Sequence, residues 1–325
     1  MSLPPNETAA GWAAEPERSN MTALRVMRWV AMTAGRTAAR LLLPPIALYF
    51  YVMNGKARRE SARYLTRALG RPARWTDVVR HIHHFASTIL DRVYFLQGQF
   101  DRFEVSHTGE RALFGHLDRG EGVMLAGAHI GSFEALRATA QGRGAKVAML
   151  MYEANARLIN ATLAAVAPQA QLYTIGLGKP GAMLSLRRWL DDGGLAGLLA
   201  DRTLPGQSDR TRTIWLDFLG TPAKFSDGPF RLAAMLRRPV IFMTGLYHGK
   251  NIYELRFVEL ADFHADPPTS PAELDRRVLE ALQRYVSLLE TLCVESPYNW
   301  FNFFDFWAQD ADVPQAPAAP ARAPG

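Results

Sequence analysis

An α/β fold, a layered mixed sheet flanked by helices with an amphipathic helical segment at its N-terminal end, is predicted by three features of the sequence. Short apolar runs alternate with segments of helical periodicity through the middle of the chain, as a sheet covered by crossover helices requires. The 325 residues are 48% hydrophobic and 21% charged, which fits one large core better than several small ones. A basic, proline-broken segment precedes that core and an Ala/Pro-rich tail follows it. No internal repeat of usable period is present.

Four regions follow from composition. Residues 1–20, rich in Pro, Ala and Glu, read as a disordered N-terminus. Residues 21–53, MTALRVMRWVAMTAGRTAARLLLPPIALYFYVM, contain no acidic residue and no small-residue cleavage site of a secretory signal. On a helix Arg25, Arg28, Arg36 and Arg40 fall within an arc of roughly 120°, leaving the other faces to Leu24, Val26, Met27, Trp29, Val30 and Met32. The apolar run Leu41–Met53 falls short of the ~20 residues of a straight membrane span, and Pro44-Pro45 interrupts it. The segment therefore reads as a surface anchor on a cytoplasmic leaflet, its arginines towards anionic headgroups. The alternative is a helix packed on the protein's own core with solvated arginines. Residues 54–307 form the main domain, and 308–325 a disordered tail.

Within the main domain, Ala57–Gln99 is helical with basic faces. Its HIHHF stretch places His81 and His84 three residues apart, but no carboxylate or thiolate follows at metal-ligand spacing, so a solvated or partly packed helix face is expected. Then come strand VMLAGA (123–128) with a helix near Phe133–Gln141, strand KVAMLMY (146–152) with helix Ala154–Val166, and strand QLYTI (171–175) with helix Ala182–Asp192. LAGLLA (195–200) is a strand ending at Asp201-Arg202, followed by a loop rich in Arg, Gly and Pro. Helix Pro229–Arg237 leads to PVIFMTGLYH and IYELRFVEL, two neighbouring strands, and a last amphipathic helix runs from about Pro271 to Glu290.

The single cysteine, Cys293, excludes an intrachain disulfide framework and any Cys-rich metal cluster, which fits a reducing compartment and a core thiol. A net charge of +6 and a pI near 9.6 favour acidic partners: nucleic acid, anionic lipid or an acidic carrier protein.

Two constellations carry chemistry. In LAGAHIGSFEALR, His129 stands where an apolar run stops and Glu134 stands five residues on. Five helical steps leave two side chains roughly 140° apart, so they meet only if His129 lies in the turn before the helix. A carboxylate on Nδ1 would then fix the tautomer and leave Nε2 as a general base at the carboxyl edge of the sheet. The bland alternative is a turn histidine and a glutamate favoured by the helix dipole. No G-x-S-x-G elbow is present, which favours direct transfer over a covalent acyl-enzyme. The second constellation is GLGKPG, Gly176–Gly181, which matches G-x-G-x-x-G and has Asp201 about twenty residues on. Against a dinucleotide site stand its mid-chain place, the stiff Lys179-Pro180 pair and the lack of a nicotinamide half-domain.

Taken together, these residues resemble a known family. AGAHIGSFE is similar to the H-x4-D/E block of the glycerolipid and lipid A acyltransferases, specifically the bacterial lipid A biosynthesis late acyltransferases that use acyl carrier protein thioesters. In order along the chain, LAGLLADRTLPG, WLDFLGTPAKFSDGPFRLAAMLRRPVIFM and NWFNFFDFW resemble further blocks of that family, as does the basic N-terminal segment followed by KARRESARYL. The likeness covers roughly residues 24–307. Ser132-Phe133 replaces the family's Asn-Trp, and Asp201-Arg202 its frequent Asp-Gln. Those departures bear on the acceptor, lipid A or another bacterial amphiphile such as an ornithine-type lipid or a lipid-anchored pigment.

The resemblance implies a glycerolipid acyltransferase-like fold and a membrane-associated enzyme on the cytoplasmic face of a bacterial inner membrane. It implies His129 as general base, Glu134 as its orienting partner, and no metal or redox cofactor. An acyl carrier protein or CoA would be the donor and a membrane lipid the acceptor, with no nucleic-acid partner. Ser132 would cap the helix or touch substrate. Asp201 and Arg202 would lie near substrate, the guanidinium placed to hold an oxyanion or a phosphate unless it forms a structural ion pair. Arg187, Arg188, Arg210, Arg212, Lys224 and Arg231 would form a basic rim for carrier and lipid phosphates, each alone being more often merely solvated. The aromatic block Trp300–Trp307 would line an acyl channel or close the core.

Overall fold

The computed structural model describes residues 29, 31, 33–135, 144–152, 173–178, 180–202 and 212–307. The expectations for 1–20, 21–28, 136–141, 154–166, Lys179, Arg210 and 308–325 lie outside these residues.

The molecule is α/β with a mostly parallel mixed sheet flanked by helices. Its strands are β1 (Glu104–Thr108), β2 (Val123–Gly127), β3 (Val147–Tyr152), β4 (Tyr173–Leu177), β5 (Leu195–Leu199), β8 (Pro239–Gly249) and β9 (Ile252–Asp262), in the order β1-β9-β8-β2-β5-β3-β4. A separate antiparallel hairpin, β6 (Thr213–Phe218) and β7 (Thr221–Ser226), stands apart from it. From β8 to β4 the neighbours run parallel; β9 is antiparallel to β8, and β1 follows β9 in parallel. β2 is buried along its whole length, which is why it reads as an unbroken apolar run rather than an alternating one.

Successive side chains of β2 and β8 serve opposite faces. Met124, Ala126, Val240 and Phe242 join the core with Leu186 and Leu190 of α6 (Ala182–Asp191) and Leu289 of α8 (Pro271–Glu295). Val123, Leu125, Ile241 and Met243 pack with Leu90 and Val93 of α4 (Trp75–Leu96) and Leu113 of α5 (Arg111–Asp118). Helix α8 begins where Ser270 accepts the Glu273 N–H, with Pro271 in the first turn, so its start is a sequence-encoded cap. Helix α7 (Gly228–Met235) leads into β8. Cys293 is fully buried on α8 and burial pushes its thiol up, the state of a core thiol.

The N-terminal helices α1 (Gly35–Leu41) and α2 (Leu43–Met53) are followed by α3 (Gly55–Ala68). Their arginines do not face outward as the sequence reading has it. Arg36 makes a two-pronged ion pair with Asp91 of α4 at 2.8 and 2.9 Å, and that carboxylate is fully buried. Arg40 donates to the Lys250 carbonyl at 2.9 Å and to the Tyr247 hydroxyl at 3.0 Å. From the end of α1 through α2 the face left to solvent is apolar: Leu41 is 74% exposed, and Leu42, Leu48, Tyr49, Phe50, Val52 and Met53 are exposed beside it. No helix of the described residues is long and apolar enough to cross a membrane.

Candidate functional site

Strand register brings the two principal residues together. Gly127 of β2 pairs with Leu199 of β5, and the Ala200 N–H donates to the Gly127 carbonyl at 2.9 Å. Two residues past each member of that pair stand His129 and Asp201, so both emerge side by side at the carboxyl edge of neighbouring parallel strands. This is where open α/β sheets place their ligands. His129 Nδ1 lies 2.8 Å from Asp201 Oδ1, and the His129 backbone N–H donates to Oδ2 at 3.0 Å.

The loop holding His129 is fixed through the backbone of each residue from 129 to 132. The His129 carbonyl accepts from Phe301 N–H at 2.7 Å, and the Ile130 carbonyl from the Thr244 hydroxyl at 3.0 Å. Gly131 N–H donates to Asn299 O at 2.9 Å, and Ser132 N–H to Gly245 O at 2.7 Å. Only glycine fits at 131, where φ is +67° and a Cβ would sit 2.0 Å from the Gly245 carbonyl oxygen. The loop is thus wedged between β8 and the C-terminal strap around residue 300. Asn299 anchors that strap by pairing both its amide groups with the Tyr247 backbone, at 2.8 and 3.0 Å.

Trp300 completes the dyad. Its indole N–H donates to Asp201 Oδ2 at 2.9 Å. With the indole and a backbone N–H on Oδ2, Asp201 presents Oδ1 to the imidazole. The carboxylate is fully buried, whereas the His129 side chain is 30% exposed. Burial alone would raise the Asp201 carboxyl; the facing His129, then Arg202 and the indole, outweigh it and hold it well below the usual carboxylate range. An ionised Asp201 can only accept, so Nδ1 carries a proton, and the neutral form of the ring has its lone pair on Nε2. Among the described residues Nε2 has no hydrogen-bond partner.

The carboxylate on Nδ1 is therefore Asp201, and Glu134 stands elsewhere. Glu134 lies in the helical turn that begins at 133, and its carboxylate turns to α4, where Arg92 Nε lies 2.7 Å away. The buried Ser132 donates its hydroxyl to Glu134 Oε2 at 3.3 Å. Placing the histidine before the helix was not enough to bring the pair together, because the helix start aims Glu134 sideways.

Arg202 follows Asp201 and is held by its own packing: Nη2 donates to the Phe301 carbonyl at 3.2 Å, and the guanidinium lies 4.6 Å from the Phe304 ring centre. Burial lowers its pKa against the pull of Asp201, and Nε is buried with no hydrogen-bond partner among the described residues. The basic rim disperses. Arg231 is taken up by Asp227 at 3.0 Å and Asp275 at 2.7 Å, and Arg212 also faces Asp275. Lys224 lies 4.8 Å over Trp215, its cross-strand neighbour in the β6–β7 hairpin, and Arg187 and Arg188 stand exposed on α6.

Three contributors escape a reading of the sequence. Trp300 belongs to the aromatic block, but its indole serves a carboxylate, and it and Trp307 are buried against Phe218 rather than lining an open channel. His81, expected on a solvated or partly packed face, is completely buried behind Trp300. Arg92 carries no motif at all. The loop glycines Gly178 and Gly181 of GLGKPG sit after the edge strand β4, and Asp201 is two strands away, engaged with His129. That separation removes the acidic partner of a dinucleotide fingerprint.

The class these observations define is an α/β protein with a carboxylate-fixed histidine at the carboxyl edge of its sheet. The chain matches no protein-family model and no curated protein.

Proposed function

We propose that this protein is an acyltransferase that moves a fatty acyl group from an acyl carrier protein or CoA thioester to a hydroxyl or amine of an amphiphilic lipid acceptor. The observation that carries the reading is His129 at the sheet edge with Nδ1 on the buried Asp201 carboxylate and Nε2 unclaimed among the described residues. Nε2 takes the proton from the acceptor hydroxyl or amine as its oxygen or nitrogen attacks the thioester carbonyl. The resulting imidazolium is stabilised by Asp201, and it returns the proton to the departing thiol as the tetrahedral intermediate collapses. General-base assistance of this kind contributes about 10²–10⁴-fold. Arg202, whose Nε–H is unused among the described residues, would meet the developing oxyanion or a donor phosphate.

The protein works at a membrane surface, in this reading on the cytoplasmic face of a bacterial inner membrane. The exposed apolar run from Leu41 to Met53 supports it, since soluble proteins rarely leave such a row in water. The test is acyl transfer by the purified protein from acyl carrier protein and CoA thioesters into bacterial lipid extracts, read by mass spectrometry. A new acyl-lipid that vanishes with His129→Ala is the expected result. Robust turnover by that variant removes the base. Liposome binding without thioester consumption would instead make the chain a membrane-binding scaffold.

A further inference from the structure

Behind the dyad runs a second set of polar contacts that the proposed chemistry does not use. His81 of α4 is entirely buried, yet both ring nitrogens are engaged: Nε2 lies 2.9 Å from the Trp300 carbonyl oxygen and Nδ1 lies 2.8 Å from the Ser61 hydroxyl of α3. A carbonyl can only accept, so Nε2 holds the proton and Nδ1 accepts from Ser61. The tautomer is set by geometry, and it is the opposite of the one at His129. The ring is also sandwiched by aromatics, 4.6 Å from Phe303 in a stacked arrangement and 5.6 Å from Tyr64.

The residue it grips touches the site twice. Trp300 pairs with Ile130 in an isolated β-bridge and donates its indole to Asp201 Oδ2. The next N–H, of Phe301, donates to the His129 carbonyl. The strap carrying these groups comes from beyond the last helix and has no place in the sheet; Asn299 pins one end of it to β8, and His81 is the side chain that holds the Trp300 carbonyl from behind. We propose that His81, oriented by Ser61, is a positioning residue that holds the Trp300 peptide where its indole fixes Asp201 and, through Asp201, the tautomer of His129. Removing the His81 donor would leave a buried carbonyl without its partner and free the strap to shift. An imidazole whose carboxylate has drifted loses its single tautomer, and the basic lone pair no longer stays on Nε2.

The inference rests on the proposed function only for its kinetic consequence; the tautomer itself is measured without turnover. The full-length protein labelled with ¹⁵N-histidine serves, comparing wild type with His81→Phe, which keeps the ring volume but not the donor, and with His81→Gln, whose amide N–H can replace it. Wild type is expected to show His129 protonated on Nδ1 alone, His81→Phe a mixture of both tautomers, and His81→Gln the wild-type pattern. If acyl transfer is observed, kcat should fall by about 10-fold or more in His81→Phe with KM little changed, the scale on which outer partners of functional groups act. Trp300→Phe, which removes the indole donor and keeps an aromatic ring, guards against an unfolded His81→Phe and should give the same mixture. A single unshifted His129 signal in folded His81→Phe or Trp300→Phe overturns the proposal, as does a wild-type His129 protonated on Nε2. Absence of acyl transfer with the tautomer shift present leaves the positioning role standing and removes the enzymatic reading instead.

Discussion

At the scale of single residues the site turns on which carboxylate meets Nδ1. Asp201→Asn preserves shape but offers an amide, so the imidazole is free to take the wrong tautomer; kcat should fall by about 10³–10⁴-fold, while circular dichroism stays unchanged. Glu134→Gln should cost far less, because its partners are Arg92 and Ser132 rather than the imidazole. Equal losses in the two variants would reverse that ranking. The histidine and the helix start were legible in LAGAHIGSFEALR, and so was a polar pair at the end of LAGLLA. Their partnership was not. It depends on β2 and β5 being neighbours, and β5 follows β2 only after two intervening strands, β3 and β4. Periodicity locates strands, but it does not order them across a sheet. Gly131→Ala should likewise abolish the site, since the added methyl meets the β8 backbone rather than a flexible side chain.

At the scale of elements, the paired helices α1 and α2 are held by charge and exposed by grease. Arg36→Ala leaves Asp91 buried with only the Tyr253 hydroxyl bonded to it among the described residues, and breaking a buried pair this way costs about 3–5 kcal/mol. Denaturant unfolding should record that loss. Liposome flotation should respond differently: Leu41→Ser with Phe50→Ser and Met53→Ser should abolish binding, whereas raising salt should change it little, because Arg36 and Arg40 are occupied within the protein. Strong salt sensitivity would return the role to the arginines. Both readings of the basic stripe turned its arginines outward, and Arg36 and Arg40 turn inward instead, because a helical wheel has no knowledge of Asp91 or the Lys250 carbonyl. Core strands such as VMLAGA were plain as apolar runs between turn signals. β1 went unseen because it is short and mostly exposed, and the β6–β7 hairpin because its mixed residues lie within a stretch that reads as loop.

For the whole molecule, buried ionisable groups set the response to acid. Burial lowers His81 to about 3 and His84 to about 4, so between there and the ordinary histidine value of about 6.5 the unfolded chain binds protons that the folded one refuses. Stability therefore falls as pH drops through that window. Below about pH 4 a second loss follows, as the unfolded chain protonates carboxylates held lower in the fold: Asp201 and Asp77 below the usual range, and Glu121 at about 2. Denaturant midpoints measured from pH 8 to 3 should decline in two stages, and His81→Gln should flatten the first. A midpoint constant from pH 7 to 5 would contradict the buried-histidine account. The C-terminal strap also has a consequence in time. Chains emerge from the ribosome N-terminal end first, so a nascent chain that has reached Glu295 already carries both sheet-edge loops but still lacks the indole that completes Asp201. On the proposed function, the exposed apolar helices would meet a lipid surface during synthesis, and reactivity would arise only once the strap around residue 300 had docked.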